Sequence, residues 1–247
     1  MSKIKNIKGR QVFDSRGNPT VEAEIYTTDG HYSSAIVPSG ASTGTHEAFE
    51  LRDKSNDNYL GKSVFKAIEN INGPISKSLS NTNVEDQNKI DKILIELDGT
   101  ENKKKLGANA ILAVSIASSK LSAIVKNVSL YKSLTSSKNF KIPIPLLNII
   151  NGGVHAKNNL DIQEFMIRPE KNKSFSEAMR RSFLIIQNLK KMLDNTNVGD
   201  EGGFAPNLKD SEEAIKLIIK AIEKSGFVPG EDISICLDVA ANELKKQ

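Results

Sequence analysis

The stretch TVEAEIYTTDGHYSSAIVPSG, residues 20–40, decides how the first half of this chain folds. Val21, Ala23 and Ile25 alternate with Glu22, Glu24 and Tyr26, and a period of two sends apolar and polar side chains to opposite faces of a strand. Asp29 and Gly30 supply a turn before a second β-rich run, so the stretch predicts an antiparallel hairpin with one buried face. From Leu60 the spacing changes. SVFKAIENINGPISKSL (63–79), EDQNKIDKILIEL (85–97) and GANAILAVSIASSKLSAIV (107–125) carry apolar residues three and four apart, which predicts helices. A hairpin followed by helices reads as an α+β amino-terminal domain over 1–135, ending in the polar segment LTSSKNF at 134–140.

Beyond that segment the order changes. IPIPLLNII (142–150) and DIQEFMIRP (161–169) are short apolar runs, SFSEAMRRSFLIIQNLKKML (174–193) and SEEAIKLIIKAIEK (211–224) have helical spacing, and DISICLDVA (232–240) reads as a buried strand. Asp210 and Ser211 followed by Glu213 mark the start of the second helix, and the first is expected to end near Asn195. This order predicts an α/β, TIM-type layout of about three strands over 136–247. Such a layer leaves an open apolar edge, so the second domain is expected to be an incomplete barrel.

Composition narrows the class. The chain has 247 residues, of which 38% are hydrophobic and 26% charged, enough to build a core and unlike a disordered segment. Its 34 basic and 30 acidic residues give a net charge of +4, and the lysines are scattered among acids rather than blocked, which argues against a nucleic-acid partner. The single cysteine, Cys236, has no partner in the chain, which fits a reducing compartment. The start, MSKIKNIKGR, lacks a signal peptide's apolar core, and no stretch is read as a membrane span, so the expected location is the cytoplasm.

Four places carry candidate chemistry. In NVGDEGGFAPN (197–207), Asp200 and Glu201 stand among Gly199, Gly202 and Gly203, which reads as a shaped turn built on backbone angles that other residues resist. In INGGVHAKNNLDIQEF (150–165), His155 follows two glycines, and Gln163 and Glu164 open the next apolar run. A carboxylate in a half-buried strand needs a partner or a metal. Asp238 ends an apolar strand, where α/β layouts hold ligands. Together Glu164, Asp200, Glu201 and Asp238 would gather like charges that a divalent cation or proton sharing must offset, and oxygen donors favour magnesium, manganese or calcium over zinc. The loop VPSGASTGTHEAFELRD (37–53) fails the P-loop spacing, which leaves a plain connector or a mobile lid.

Taken together, DSRGNPTVE (14–22), VPSGASTG (37–44), ELRD (50–53), DGTENKKKLGANAILAVS (98–115), NIINGGVHAKNN (148–159), QEFMI (163–167), NVGDEGGFAPN and LDVA (237–240) resemble the amino-terminal portion of the enolase family. The resemblance implies dehydration of 2-phosphoglycerate to phosphoenolpyruvate in glycolysis, with Mg2+ as cofactor. It implies Glu201 as the general acid for the departing hydroxyl, with Glu164 beside it. It further implies substrate contacts from His155, Gln163 and Glu164, metal ligands at Asp238 and at the lid residue Ser42, and usually a homodimer. The family's lysine base and its remaining carboxylate ligands would lie after Gln247, so the chain alone is expected to be inactive. A non-catalytic binding or assembly partner is the alternative. An acid-sugar dehydratase or racemase of the same superfamily is argued against by the SGASTG and DEGG loops.

Overall fold

A computed structural model describes residues 2–40, 43–55 and 58–244, and its first element lies ahead of the predicted hairpin. The lysine-rich start forms strand β1 (Ile4–Phe13), antiparallel to β2 (Pro19–Thr27), which in turn pairs antiparallel with β3 (Tyr32–Val37). Ile4 and Ile7 enter the core while Lys3, Lys5 and Lys8 stay exposed. The outer edge of β1 is covered at Gly9, whose N–H donates to Asn72 Oδ1 (2.7 Å) and whose carbonyl accepts from Asn72 Nδ2 (3.2 Å). The amide thus stands in for a further strand at an otherwise open edge.

The hairpin forms as expected, but its polar face is not open. Glu24 is only 5% exposed, held by the Arg10 guanidinium and by the hydroxyls of Tyr26 and Tyr32, each at 3.2 Å. Burial alone would raise its pKa, yet these partners more than offset burial, and the carboxyl titrates below its ordinary value.

The helical region begins with α1 (Phe65–Asn70) and α2 (Ser76–Leu79), separated by a π-helical stretch, Ile71–Ile75. Pro74 in that stretch has no N–H to donate, so the one helix expected over 63–79 is interrupted. Then come α3 (Gln87–Asp98), α4 (Ala108–Val125) and α5 (Leu130–Ser133). α4 corrects the expectation that no stretch reaches membrane-spanning length. It has 18 residues with mean hydropathy 1.5, enough to cross a bilayer by length and composition. It packs instead against β2 and β3 with 56% of that length buried, as the central helix of a protein core.

The chain falls into two compact units. One comprises Met1–Gly40 with His46–Asn139, and the other Ala41–Thr45 with Phe140–Gln247. In the second unit, prolines at 143 and 145 keep the predicted run at 142–150 out of a sheet until Leu147, where β4 (Leu147–Asn151) begins. β5 (Glu164–Pro169), α6 (Phe175–Lys190), α7 (Ser211–Lys224), β6 (Ile233–Asp238) and α8 (Ala241–Leu244) follow.

Ser174 and Asp210 cap α6 and α7, accepting from the N–H of Glu177 (3.1 Å) and Glu213 (2.8 Å). α6 ends at Lys190, short of Asn195, because the residues after Met192 leave the helical hydrogen-bond ladder. The sheet order is β4-β5-β6 with both pairs antiparallel, and no barrel closes among the described residues. β6 is less buried than expected. Ile233 is fully enclosed, but Leu237 is 42% exposed, since only β5 pairs with this strand among the described residues.

Candidate active site

The register of the second sheet aligns three chain positions at one end. Asn151 on β4 pairs with Glu164, the first residue of β5, and Glu164 pairs with Asp238, the last residue of β6. After Asn151 the chain turns back on itself, with Gly152 N–H donating to Gln163 O (2.9 Å) and Gly153 N–H to Leu160 O (2.7 Å). This fold-back carries His155 in the short 3-10 turn Gly153–His155.

The loop of Glu201 is stitched to the same place. Phe204 N–H donates to Ile149 O (2.9 Å) and Asn151 N–H to Phe204 O (2.8 Å), while Asp200 N–H donates to His155 O (3.0 Å). Asn158 adds a clamp, its Nδ2 donating to Asn151 O (2.9 Å) and Pro206 O (3.1 Å).

The three glycines of that loop have different reasons to be glycine, which corrects the expectation that all serve unusual backbone angles. Only Gly202 has a left-handed φ, +80°. Gly199 and Gly203 are required by space. A Cβ on Gly203 would lie 2.1 Å from Asn151 Oδ1, and one on Gly199 would lie 2.6 Å from His155 O. The close approach of this loop to β4 is what brings Glu201 in.

His155, Glu164 and Glu201 converge, with one ligand atom from each lying within 4.8 Å of the others. His155 Nδ1 is 3.7 Å from Glu164 Oε1 and 3.6 Å from Glu201 Oε2. His155 is 4% exposed, and its Nδ1 makes no hydrogen bond among the described residues. Glu164 is mostly enclosed and Glu201 half exposed. Burial first, then a hydrogen bond and repulsion from Glu201, then repulsion from Asp238, push the Glu164 carboxyl up to about 7. Near neutral pH, Glu164 is therefore about half protonated, and its proton lies in the hydrogen bond with Glu201.

Gln163 is buried at 2% exposure beside this cluster in sequence. Asp200 points its chain position into an open cleft of about 540 Å³ that also borders His155, Lys157, Asn195, Asn197 and Asn207, while Glu164, Glu201 and Asp238 stand outside its walls. Asp238 is exposed, its Oδ1 accepting from Ala240 N–H (3.0 Å), and it lines a hollow of about 150 Å³ with Thr43 and Gly44. Ser42 lies outside the described residues. The hard oxygens of Glu164, Glu201 and Asp238 suit magnesium, and the unpaired imidazole nitrogen beside two of them is a softer donor than that ion prefers.

The sequence reading missed Asn148. Its Nδ2 donates to Glu201 Oε2 at 3.2 Å, and an amide inside the apolar run LNII is itself a signal, because a half-buried polar side chain calls for a partner.

Comparison with known proteins places these features. A family model described as Enolase, N-terminal domain, matches residues 4–134, and one described as Enolase, C-terminal TIM barrel domain, matches residues 139–247. A protein named Enolase from Pelagibacter ubique (strain HTCC1062) is 62% identical over 251 aligned positions. That alignment takes in 100% of this chain and 60% of the relative, so the chain spans about three fifths of the relative's length.

Proposed function

The chain belongs to the enolase family, and from that premise we propose that it carries the proton-donor half of a magnesium-dependent site that dehydrates 2-phosphoglycerate to phosphoenolpyruvate. The observation that carries this reading is the convergence of His155, Glu164 and Glu201. Expelling a β-hydroxyl requires a proton, because hydroxide is a poor leaving group. Glu164, titrating at about 7, keeps a proton on about half of the molecules near neutral pH and shares it with Glu201, which the half-open loop directs outward to the departing oxygen. His155 and Gln163 contact the substrate, and Asp238 supplies one carboxylate to the metal, with Ser42 a second metal contact. Bound magnesium would stabilise the negative charge that builds on the substrate carboxylate once its neighbouring proton leaves. A reducing, cytoplasmic setting belongs to the same proposal and is supported by the free thiol of Cys236.

The test has two arms. Residues 1–247 alone are expected to form no phosphoenolpyruvate with magnesium present, and the chain completed with the remaining two fifths of the relative is expected to do so. In the completed protein, Glu201→Gln should lower kcat by about 10²- to 10⁴-fold, the usual contribution of a general acid. Retained activity in Glu201→Gln would remove the assignment.

A second reading, a non-catalytic assembly partner, has one supporting observation. Phe175, Met179 and Phe183 form an exposed apolar stripe at i, i+4 and i+8 along α6. Sedimentation of the purified chain decides it, since a monomer at high concentration leaves the stripe without a partner.

A further inference from the structure

Glu201 stands on a loop, its side chain is 45% exposed, and a glutamate has three side-chain torsions to lose. A proton donor must nevertheless present its carboxyl in one place, because small misplacements in a reacting geometry are costly. The groups around it differ in what they can do. His155 Nδ1 lies beyond hydrogen-bond distance at 3.6 Å, and Glu164 is another acid that shares a proton with it. Asn148 offers a neutral N–H at hydrogen-bond distance to Oε2, 3.2 Å.

Asn148 is also built to hold still. It lies on β4, paired with Met166 of β5, at a point where the register shifts between Asn148 and Ile150. Such a bulge re-aims a side chain relative to the regular alternation of a strand. The amide oxygen opposite the donor is buried without a hydrogen-bond partner. That leaves the amide one productive contact, the donation from Nδ2 to Glu201 Oε2.

We propose that Asn148 is a positioning residue that fixes the Glu201 carboxyl through Oε2. The proposal rests on the reading of Glu201 as proton donor for its consequence in catalysis, but not for the placement itself.

The experiment uses residues 1–247 labelled with ¹³C in glutamate, comparing the native sequence with Asn148→Ala and Asn148→Asp. Asp keeps the shape of Asn and loses the donor, so it separates a packing role from a hydrogen-bonding one. Glu201 side-chain couplings are expected to report one rotamer natively and averaged rotamers in both variants, with Glu24, which belongs to the other unit, unchanged. Native couplings at Glu201 in Asn148→Asp would overturn the proposal. In the completed protein both variants should lose about 10- to 100-fold in kcat with KM within about twofold, the signature of a misplaced reacting group. Averaged Glu201 rotamers with undiminished kcat would sustain the placement and remove Glu201 as the proton donor.

Discussion

Glu164 makes the acid cluster a cost to the fold as well as a chemical resource. Its carboxyl is raised from 4.5 to about 7, so between those pH values the folded chain binds more protons here than the unfolded chain does. Stability then falls as pH rises. This group leaves the fold undisturbed below about pH 4.5, and its penalty is complete above about pH 7. A displacement of that size corresponds to ~3 kcal/mol at about 1.4 kcal/mol per pKa unit. Glu164→Gln keeps the shape and removes the charge, so in metal-free buffer it should be more stable than the native chain at pH 8 and nearly equal to it at pH 4. Urea midpoints at the two pH values check this, and an advantage that does not change with pH contradicts it.

The loop glycines provide a second residue-scale prediction. Alanine at 203 would force a Cβ against Asn151, which is fully buried and cannot swing aside. Gly203→Ala is expected to destabilise by ~3 kcal/mol, the upper end for extra atoms forced into a packed site. Gly202 has open space around it and only its φ to lose, so Gly202→Ala should cost ~1–2 kcal/mol. Equal losses in the two variants would mean that close approach is not what these glycines serve.

Among the elements, α7 shows how a helix can be read from local chemistry. Asp210 accepts from Glu213 N–H, and Glu213 Oε2 accepts in return from Lys209 N–H (2.6 Å), a reciprocal cap at the start of an amphipathic run. Asp210→Ala should cost ~1 kcal/mol by thermal unfolding, with α7 fraying first in hydrogen exchange. Because that chemistry is local, the sequence alone placed α7 at its observed bounds, Ser211–Lys224. The hairpin was equally legible from its period of two. β1 was not, because its exposed lysines obscure Ile4 and Ile7, and its pairing with β2 is a long-range fact. The site divides in the same way. His155, Glu164 and Glu201 are reactive residue types in recognisable motifs. Asn148, and the reason for glycine at 203, depend on β4 meeting a loop some fifty residues later, and no local pattern encodes that meeting. Glu24 was misread as a solvent-facing strand residue for the same cause, since Arg10 reaches it from the neighbouring strand.

At the scale of the whole molecule, the apolar residues divide into two cores that share no member. One is centred on β2, α1 and α4, with Ile25, Ile71, Val114 and Leu121 fully enclosed. The other is centred on β5, α6 and α7, with Phe165, Ile185, Leu189 and Ile218 fully enclosed. Each core thus has its own cooperative source of stability. The segment from Leu134 to Leu146 lies between them in sequence, without regular structure and with nearly every residue exposed. Backbone that is exposed and outside helices and sheets is where proteases bind most readily. Lys138 and Lys141 stand in that segment, both exposed, whereas the lysines of α3 and α6 are held in helical ladders. Trypsin at low dose should therefore cut first after Lys138 or Lys141. It should yield two fragments that resist further digestion, which mass spectrometry would identify. A first cut within α3 or α6, or loss of one fragment as soon as the other is released, would show that the two cores do not stand independently.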